Sequence, residues 1–285
     1  MKKALLVGAD SKIGSQIELI LEGLGKEFIG TSRDSAICFQ KGRVHLDLSQ
    51  DLSEWEIPEN IDTVFFCACV SSLKFCRLNP ISSNFVNVTN TLFLIRRFSE
   101  RNIHTVFPST SMVFDGTTPN NKIKGKTNPL TVYGKQKLQV EDCLKKLPRT
   151  SIVRLSKVLG NEVELFGDWV KKLNDCRTIH TFADLRISPI PLEFAARFMV
   201  SVAQNRYFGT FHAGGNKDVS YYEISTEIAE KLGVNPALVK KSTAKNAGIP
   251  QSEIPRNTTL DTTSSYSLLR MWSPDVWETI NAIVK

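Results

Sequence analysis

Between residues 3 and 155, short apolar runs alternate with stretches of helical periodicity, and this alternation restricts the fold more than any other feature of the chain. A strand that leads each time into a helix points to a parallel sheet covered on both faces. Lys3–Val7 predicts a buried strand ending at Gly8. Ile13, Ile17, Ile20, Leu21 and Leu24 then recur at helical spacing, with Gly25 placed to close that helix. Residues 28–31 and 43–46 predict the second and third strands, and the continuous apolar run 63–70 a central one. The first half is completed by a helix over 80–99, a strand over 105–108, a Gly/Asn/Pro/Thr-rich loop over 115–129, a helix over 133–147 and a strand over 151–155.

Beyond residue 155 the alternation loosens. Residues 192–202 and 221–232 read as helices with a strand over 208–213 between them, 240–263 as loop, and 276–284 as a short helix. The expected fold is α/β: a Rossmann-type doubly wound parallel sheet with a smaller, interleaved C-terminal α/β lobe. Residues 1–155 would form the first domain, its last sheet elements returning within 185–215, and residues 156–285 mainly the second lobe.

The rest of the composition narrows the class. With 285 residues, 41% of them hydrophobic, a core can form without covalent staples. The six cysteines show no paired spacing. Cys67 and Cys69 read as small buried hydrophobes, and with Cys76 they lack zinc-type spacing, so no metal is expected. No signal-like or membrane-spanning run occurs, so a cytoplasmic protein with no membrane partner is expected. The net charge is +7, but the lysines are scattered in pairs without interleaved aromatics, which argues against a nucleic-acid partner. Lys122, Lys124 and Lys126 read as a solvated loop.

Two stretches carry chemistry. The first, Gly8-Ala9-Asp10-Ser11-Lys12-Ile13-Gly14, lies between first strand and first helix. There a tight turn lets backbone N–H groups and the helix N-terminus meet a pyrophosphate. Ser11 stands where a middle glycine is expected. The second strand ends Thr31-Ser32-Arg33, with no carboxylate for an adenosine ribose. Arg33 suits a 2′-phosphate, with Ser32 as a supporting donor, which points to NADP, with NAD as the alternative. Asp47 either accepts from the adenine amino group or caps a strand end. Leu48, Cys67, Ala68 and Cys69 complete the expected cofactor-binding set. The second stretch places Thr110 at a strand end and Tyr133 one helical turn before Lys137. An ammonium beside a phenol lowers the phenol's pKa, so Tyr133 is expected to exchange a proton with substrate, Lys137 to keep it acidic, and both to touch the cofactor, while Thr110 holds the substrate oxygen.

Longer matches add to these. Ser109-Thr110-Ser111-Met112-Val113-Phe114-Asp115-Gly116 is similar to the pattern Ser-Thr-Asp-Tyr-Val-Phe-x-Gly, departing at Ser111 and Met112. Pro129-Leu130-Thr131-Val132-Tyr133-Gly134-Lys135-Gln136-Lys137, Ser188-Pro189-Ile190-Pro191-Leu192, Gly209-Thr210-Phe211-His212-Ala213-Gly214 and Pro255-Arg256-Asn257-Thr258-Thr259-Leu260-Asp261 follow further segments of the same pattern. On these residues the chain resembles the extended short-chain dehydrogenase/reductases, and within them the dTDP-4-dehydrorhamnose reductase family. Cys67-Ala68-Cys69 stands where that family has Asn-Ala-Ala.

The resemblance implies an NADPH-dependent reductase of a keto nucleotide-sugar in polysaccharide biosynthesis, with Tyr133 as proton donor. It implies Ser111, Val113 and Arg256 as substrate contacts, the arginine on the diphosphate. It makes Asn87 structural and leaves a homodimer open. His212 reads as a satisfied strand-end histidine, and Trp272 and Trp277 as packing for the C-terminal lobe. Two rivals stand beside this reading: a nucleotide-sugar epimerase with tightly bound NAD, and a non-catalytic NADP-binding regulatory subunit on the same fold.

Overall fold

The computed structural model describes residues 1–160 and 164–283. It divides into two compact units. The first comprises Met1–Val113, Thr131–Arg154 and Ala195–Phe211; the second comprises Phe114–Leu130, Leu155–Phe194 and His212–Lys285.

The first unit is built on strands β1 (Lys3–Val7), β2 (Glu27–Ser32), β3 (Val44–His45), β4 (Thr63–Phe66), β5 (His104–Thr110), β6 (Thr150–Leu155) and β7 (Gly209–Ala213). They form one seven-stranded parallel sheet in the order β7-β6-β5-β4-β1-β2-β3. Chain order reverses at β1, the doubly wound arrangement expected from the βα alternation. The helices that matter for the site are α1 (Lys12–Gly23), α2 (Ser35–Lys41), α3 (Thr91–Glu100) and α4 (Val132–Leu144). One face of the sheet packs Leu5, Val7, Val64, Phe66 and Phe107 against Leu94, Ile95 and Phe98 of α3 and Val140 and Leu144 of α4.

Three elements differ from the sequence reading. The apolar run 63–70 is strand only to Phe66, because the N–H groups of Cys67 and Ala68 both turn to the Val7 carbonyl (2.8 and 2.9 Å) and the ladder stops. The third strand shrinks to two residues. The stretch 80–99 is not one helix: Leu73–Leu78 ends before Pro80, Pro80–Asn84 restarts, and Phe85–Asn90 widens into a π turn before α3. Such π turns cluster at functional sites. This one points the buried Asn87 at the loop after β4, where its amide accepts from Val70 N (2.8 Å) and donates to Val70 O (2.9 Å).

The second unit has its own core, in which Phe166, Trp169 and Leu173 of the helix Glu164–Asn174 meet Ile224 and Ile228 of the helix Tyr221–Lys231. The first of these helices lies where no element was expected, although its apolar residues keep helical spacing. Three pairs of very short strands join the segments: Lys157–Leu159 with Pro189–Pro191, Arg186–Ile187 with Val219–Ser220, and Ile179–Phe182 with Val239–Ser242. The last pair places a strand at the start of the expected 240–263 loop. Trp277 packs on this core, whereas Trp272 is 75% exposed. His212 is buried, with its N–H on Ser265 Oγ and its Nδ1 3.1 Å from the Asp261 carbonyl. Among the described residues, no helix is long and apolar enough to cross a membrane.

Candidate active site

The phosphate loop is shaped by two glycines that no other residue could replace. Gly8 has φ +81°, and a Cβ there would lie 2.7 Å from the backbone of Ala68. At Gly14 a Cβ would lie 2.3 Å from the Gly8 carbonyl. The loop after β1, the start of α1 and the loop after β4 therefore meet backbone to backbone. Ser11, in the place of the middle glycine, caps α1 by accepting from Gly14 N at 3.0 Å. The N–H groups of Lys12 and Ile13, which have no intrahelical partner, remain at the helix start for an anion. The Asp10 carboxylate is paired with the buried Arg43 guanidinium while its own side chain stays one-third exposed.

At the end of β2, Arg33 is exposed, while Ser32 is 2% exposed and its hydroxyl accepts from Asp34 N (3.0 Å) at the start of α2. This hydrogen bond ties Ser32 to the turn into α2 and leaves the hydroxyl proton to be donated. Asp47 forms the strand-end cap, accepting from Ser49 N at 2.8 Å. Burial works against its ionisation, but the Ser49 hydrogen bonds and the nearby Arg33 charge hold its carboxyl below the ordinary value. Leu48 is buried beside it.

Thr110, Tyr133 and Lys137 are held by contacts between β5 and α4. Thr131 caps α4 by accepting from Gly134 N (2.9 Å). Gly134 lets the helix reach the turn after β5, since a Cβ there would lie 2.3 Å from the Met112 carbonyl. Lys137 is 3% exposed, and its ammonium donates to the Pro108 carbonyl at 2.9 Å. One turn on, the fully buried Glu141 accepts from Ser109 Oγ at 2.5 Å and from both sides of the Arg154 guanidinium (3.0 and 2.7 Å). Pro108 and Ser109 are thus each tied to α4, and Thr110 follows at the strand end. Its hydroxyl oxygen accepts from Met112 N (3.2 Å), which leaves its proton free to be donated outward.

Tyr133 is half-buried. Burial, with the Cys69 and Cys76 thiols beside it and a hydrogen bond to Cys69, pushes the phenol well above its ordinary value. This reverses the expectation of a lowered pKa. Lys137 Nζ lies 5.8 Å from the Tyr133 ring centre and 4.3 Å from that of Phe107, and it serves the Pro108 carbonyl rather than the phenol. Cys67 is buried, its thiol pushed up to about 12 by burial and by Cys69, whereas Cys69 is half-buried and not the core residue expected. Among the described residues no group of side chains could hold a metal ion. Gln136 links the helix to the Asn87 turn, accepting from Asn87 Nδ2 and donating to Ser83 Oγ, both at 2.8 Å. Neither it nor Glu141 was singled out in the sequence, although Glu141 falls four residues after Lys137 on the same face.

Of the expected substrate residues, Ser111 is half-buried. Val113 is fully buried, so the structure gives its side chain packing and no ligand surface. Arg256 is exposed in the second unit and lines a cavity of about 440 Å³ together with Arg186, Lys217, Asn120 and Asn216. Arg186 and Lys217 had no signal in the sequence, because they come from separate segments. The Arg256 segment is fixed from both sides. Arg256 N and Asn257 N donate to the Gly116 carbonyl (3.2 and 3.0 Å), and Asp218 accepts from Thr258 N (2.8 Å) and Thr258 Oγ1 (2.6 Å). Arg186 donates to the Asp218 carbonyl at 2.8 Å, which gathers the three cations around one turn.

Comparison with known proteins places these features in a lineage. A probable low-salt glycan biosynthesis reductase, Agl14 of Haloferax volcanii, is 25% identical over 290 residues, covering 98% of this chain and 96% of that protein. The β subunit of methionine adenosyltransferase 2 from Bos taurus is 24% identical over 216 residues, 70% of this chain and 62% of that one. The crystal structure of a hypothetical dTDP-4-dehydrorhamnose reductase from Sulfolobus tokodaii matches with a TM-score of 0.82 at 24% identity, over 99% of both chains. A dTDP-4-dehydrorhamnose reductase of Bacillus anthracis, solved in complex with NADP, matches with a TM-score of 0.79 at 18% identity, again over 99% of both. The two structures carry the fold. A family model, the RmlD substrate binding domain, matches residues 1–285, and the chain belongs to that family.

Proposed function

We propose that the chain is an NADPH-dependent reductase of a keto nucleotide-sugar, most directly a 4-keto-6-deoxy sugar. The observation that carries this reading is the pair of ties from α4 to β5, Lys137 to the Pro108 carbonyl and Glu141 to Ser109, which set Tyr133 and Lys137 against the strand end that presents Thr110. The phosphate loop fits a dinucleotide: two glycines hold its backbone close, and a capped helix start offers free N–H groups. Arg33, exposed at the end of β2, favours a 2′-phosphate. The relative solved with NADP supports the same choice.

Bound NADPH would supply the hydride to the carbonyl carbon. Tyr133, protonated at neutral pH, would give the one proton that the carbonyl oxygen needs to become a hydroxyl. Thr110 would donate a hydrogen bond to the same oxygen and keep its own proton. The Lys137 ammonium, held on the Pro108 carbonyl 5.8 Å from the Tyr133 ring centre, would add a positive field around the phenolate left behind until the proton is replaced. Arg256 and Lys217 would bind the diphosphate of the sugar nucleotide, Arg256 through planar, forked donors, while Arg186, engaged with the Asp218 carbonyl and Glu223, would hold the turn beside them.

The test is consumption of NADPH by the purified chain with dTDP- and UDP-linked 4-keto-6-deoxy sugars. Tyr133→Phe is expected to lower kcat by about 100-fold or more while NADPH still binds. Turnover by Tyr133→Phe at the wild-type rate refutes the assignment. The likeness to the methionine adenosyltransferase subunit keeps the regulatory reading in view. NADPH binding without turnover of any keto nucleotide-sugar would favour it, and NAD copurifying with the protein would favour an epimerase.

A further inference from the structure

Arg43 immediately precedes β3, and its side chain is only 3% exposed. The guanidinium spans two carboxylates: Nη1 donates to Asp10 of the phosphate loop, and Nη2 donates to Glu18 of α1 at 2.5 Å. To reach them the side chain passes over β2 at Gly30. A Cβ on Gly30 would lie 3.3 Å from Arg43 Nε and 3.0 Å from the Ala9 Cβ. Arg43 Nε is buried without a hydrogen-bond partner, so the protein tolerates an unsatisfied donor to keep the fork in this place. A lysine, a single point of charge, could not span both carboxylates in this way.

Asp10 is the odd member of the loop. A dinucleotide brings two phosphates to the start of α1, and a free carboxylate one residue before the capping Ser11 would repel them. We propose that Arg43 is a positioning residue for dinucleotide binding, which pins the Asp10 side chain and cancels its charge so that the loop between Gly8 and Gly14 can accept the anionic pyrophosphate. Arg43 touches no cofactor atom in this account; it acts through Asp10. Glu18 fixes the other arm of the fork to the second turn of α1, so the loop and the helix it leads into are held by one side chain. The inference rests on the dinucleotide reading given under Proposed function.

The test measures the Kd of NADPH, by nucleotide fluorescence, for the full chain and for Arg43→Met, Asp10→Asn and the double variant, with thermal melting in parallel. Arg43→Met is expected to weaken binding by about tenfold or more, and less at high salt, because the carboxylate it exposes is screened there. Asp10→Asn is expected to bind NADPH at least as tightly as wild type, and the double variant to return to within about threefold of Asp10→Asn. A purely structural arginine would lower the melting temperature without any rescue of binding by Asp10→Asn. Should Arg43→Met fail to fold, Asp10→Asn alone decides: binding weakened by more than about threefold overturns the inference. So does a double variant as weak as Arg43→Met, or Arg43→Met binding like wild type. These outcomes leave the dinucleotide reading standing, whereas a wild-type chain that binds neither NADPH nor NADH overturns that reading and this inference with it.

Discussion

At the residue scale, the tightest constraint around the proposed catalytic set is the Glu141 carboxylate, fully buried between Ser109, Arg154 and the helix that carries Tyr133. A buried pair of this kind adds little net stability by itself, but losing one partner strands the other charge away from water. Glu141→Ala is therefore expected to cost about 3–5 kcal/mol in urea unfolding, because the buried Arg154 guanidinium would lose the carboxylate that faces it. Glu141→Gln, which keeps the shape and the hydrogen bond from Ser109, should cost less. Spacing along the chain reveals Tyr133 and Lys137, since two residues one turn apart declare a shared face. It is silent on Glu141, whose partners lie on β5 and β6, and equally on Arg43, whose two carboxylates sit 33 and 25 positions away. Val113 shows the converse: residue type matched the expected role, and burial withdrew the side chain from it.

At the scale of elements, β5 carries two kinds of chemistry at its two ends. Its last residues present Thr110, and its first, His104, is buried with Nε2 2.7 Å from Ser151 Oγ, which itself donates to the Tyr207 carbonyl at 2.5 Å. With the serine proton spent on that carbonyl, His104 must donate from Nε2, and its Nδ1 is left buried without a partner. Burial, together with the Arg206 charge, pushes His104 down to about 4. The folded state holds this imidazole neutral, whereas the unfolded chain protonates it near its ordinary value. Its contribution to stability is therefore complete above pH 6.5 and is lost as the pH falls from there towards 4. Unfolding free energy should drop over that interval by up to about 3 kcal/mol more in the wild type than in His104→Gln, measured by denaturant titration at several pH values. Helix α4 offers a second check. Gly134→Ala would drive a methyl into the Met112 carbonyl, so the turn after Thr110 must move, and turnover is expected to fall by about tenfold or more in steady-state assays. Elements with a clear period, such as β1 and α1, were legible almost to the residue. The π turn at Phe85–Asn90 was not, because its widening follows from the reach of Asn87 to Val70 and not from any repeat in the residues themselves.

At the scale of the whole molecule, the expected ligand should report on the fold that binds it. NADPH at about 100 times its Kd should add about 2.7 kcal/mol to the unfolding free energy, with a higher melting temperature in differential scanning fluorimetry and a smaller shift for NADH. The parallel sheet was legible because each of its main strands leads into a helix with a readable period. The second unit was legible only in outline, since strands of two to four residues are too short to show an alternation. The path of the chain between the two units has its own consequence. It passes from one to the other after Val113, Leu130, Arg154, Phe194 and Phe211, so neither unit is a continuous stretch of polypeptide. No single cut frees either one intact. A gene fusion, truncation or recombination event that exchanged one unit for another would have to match five junctions at once. The two units are thus inherited as a single piece.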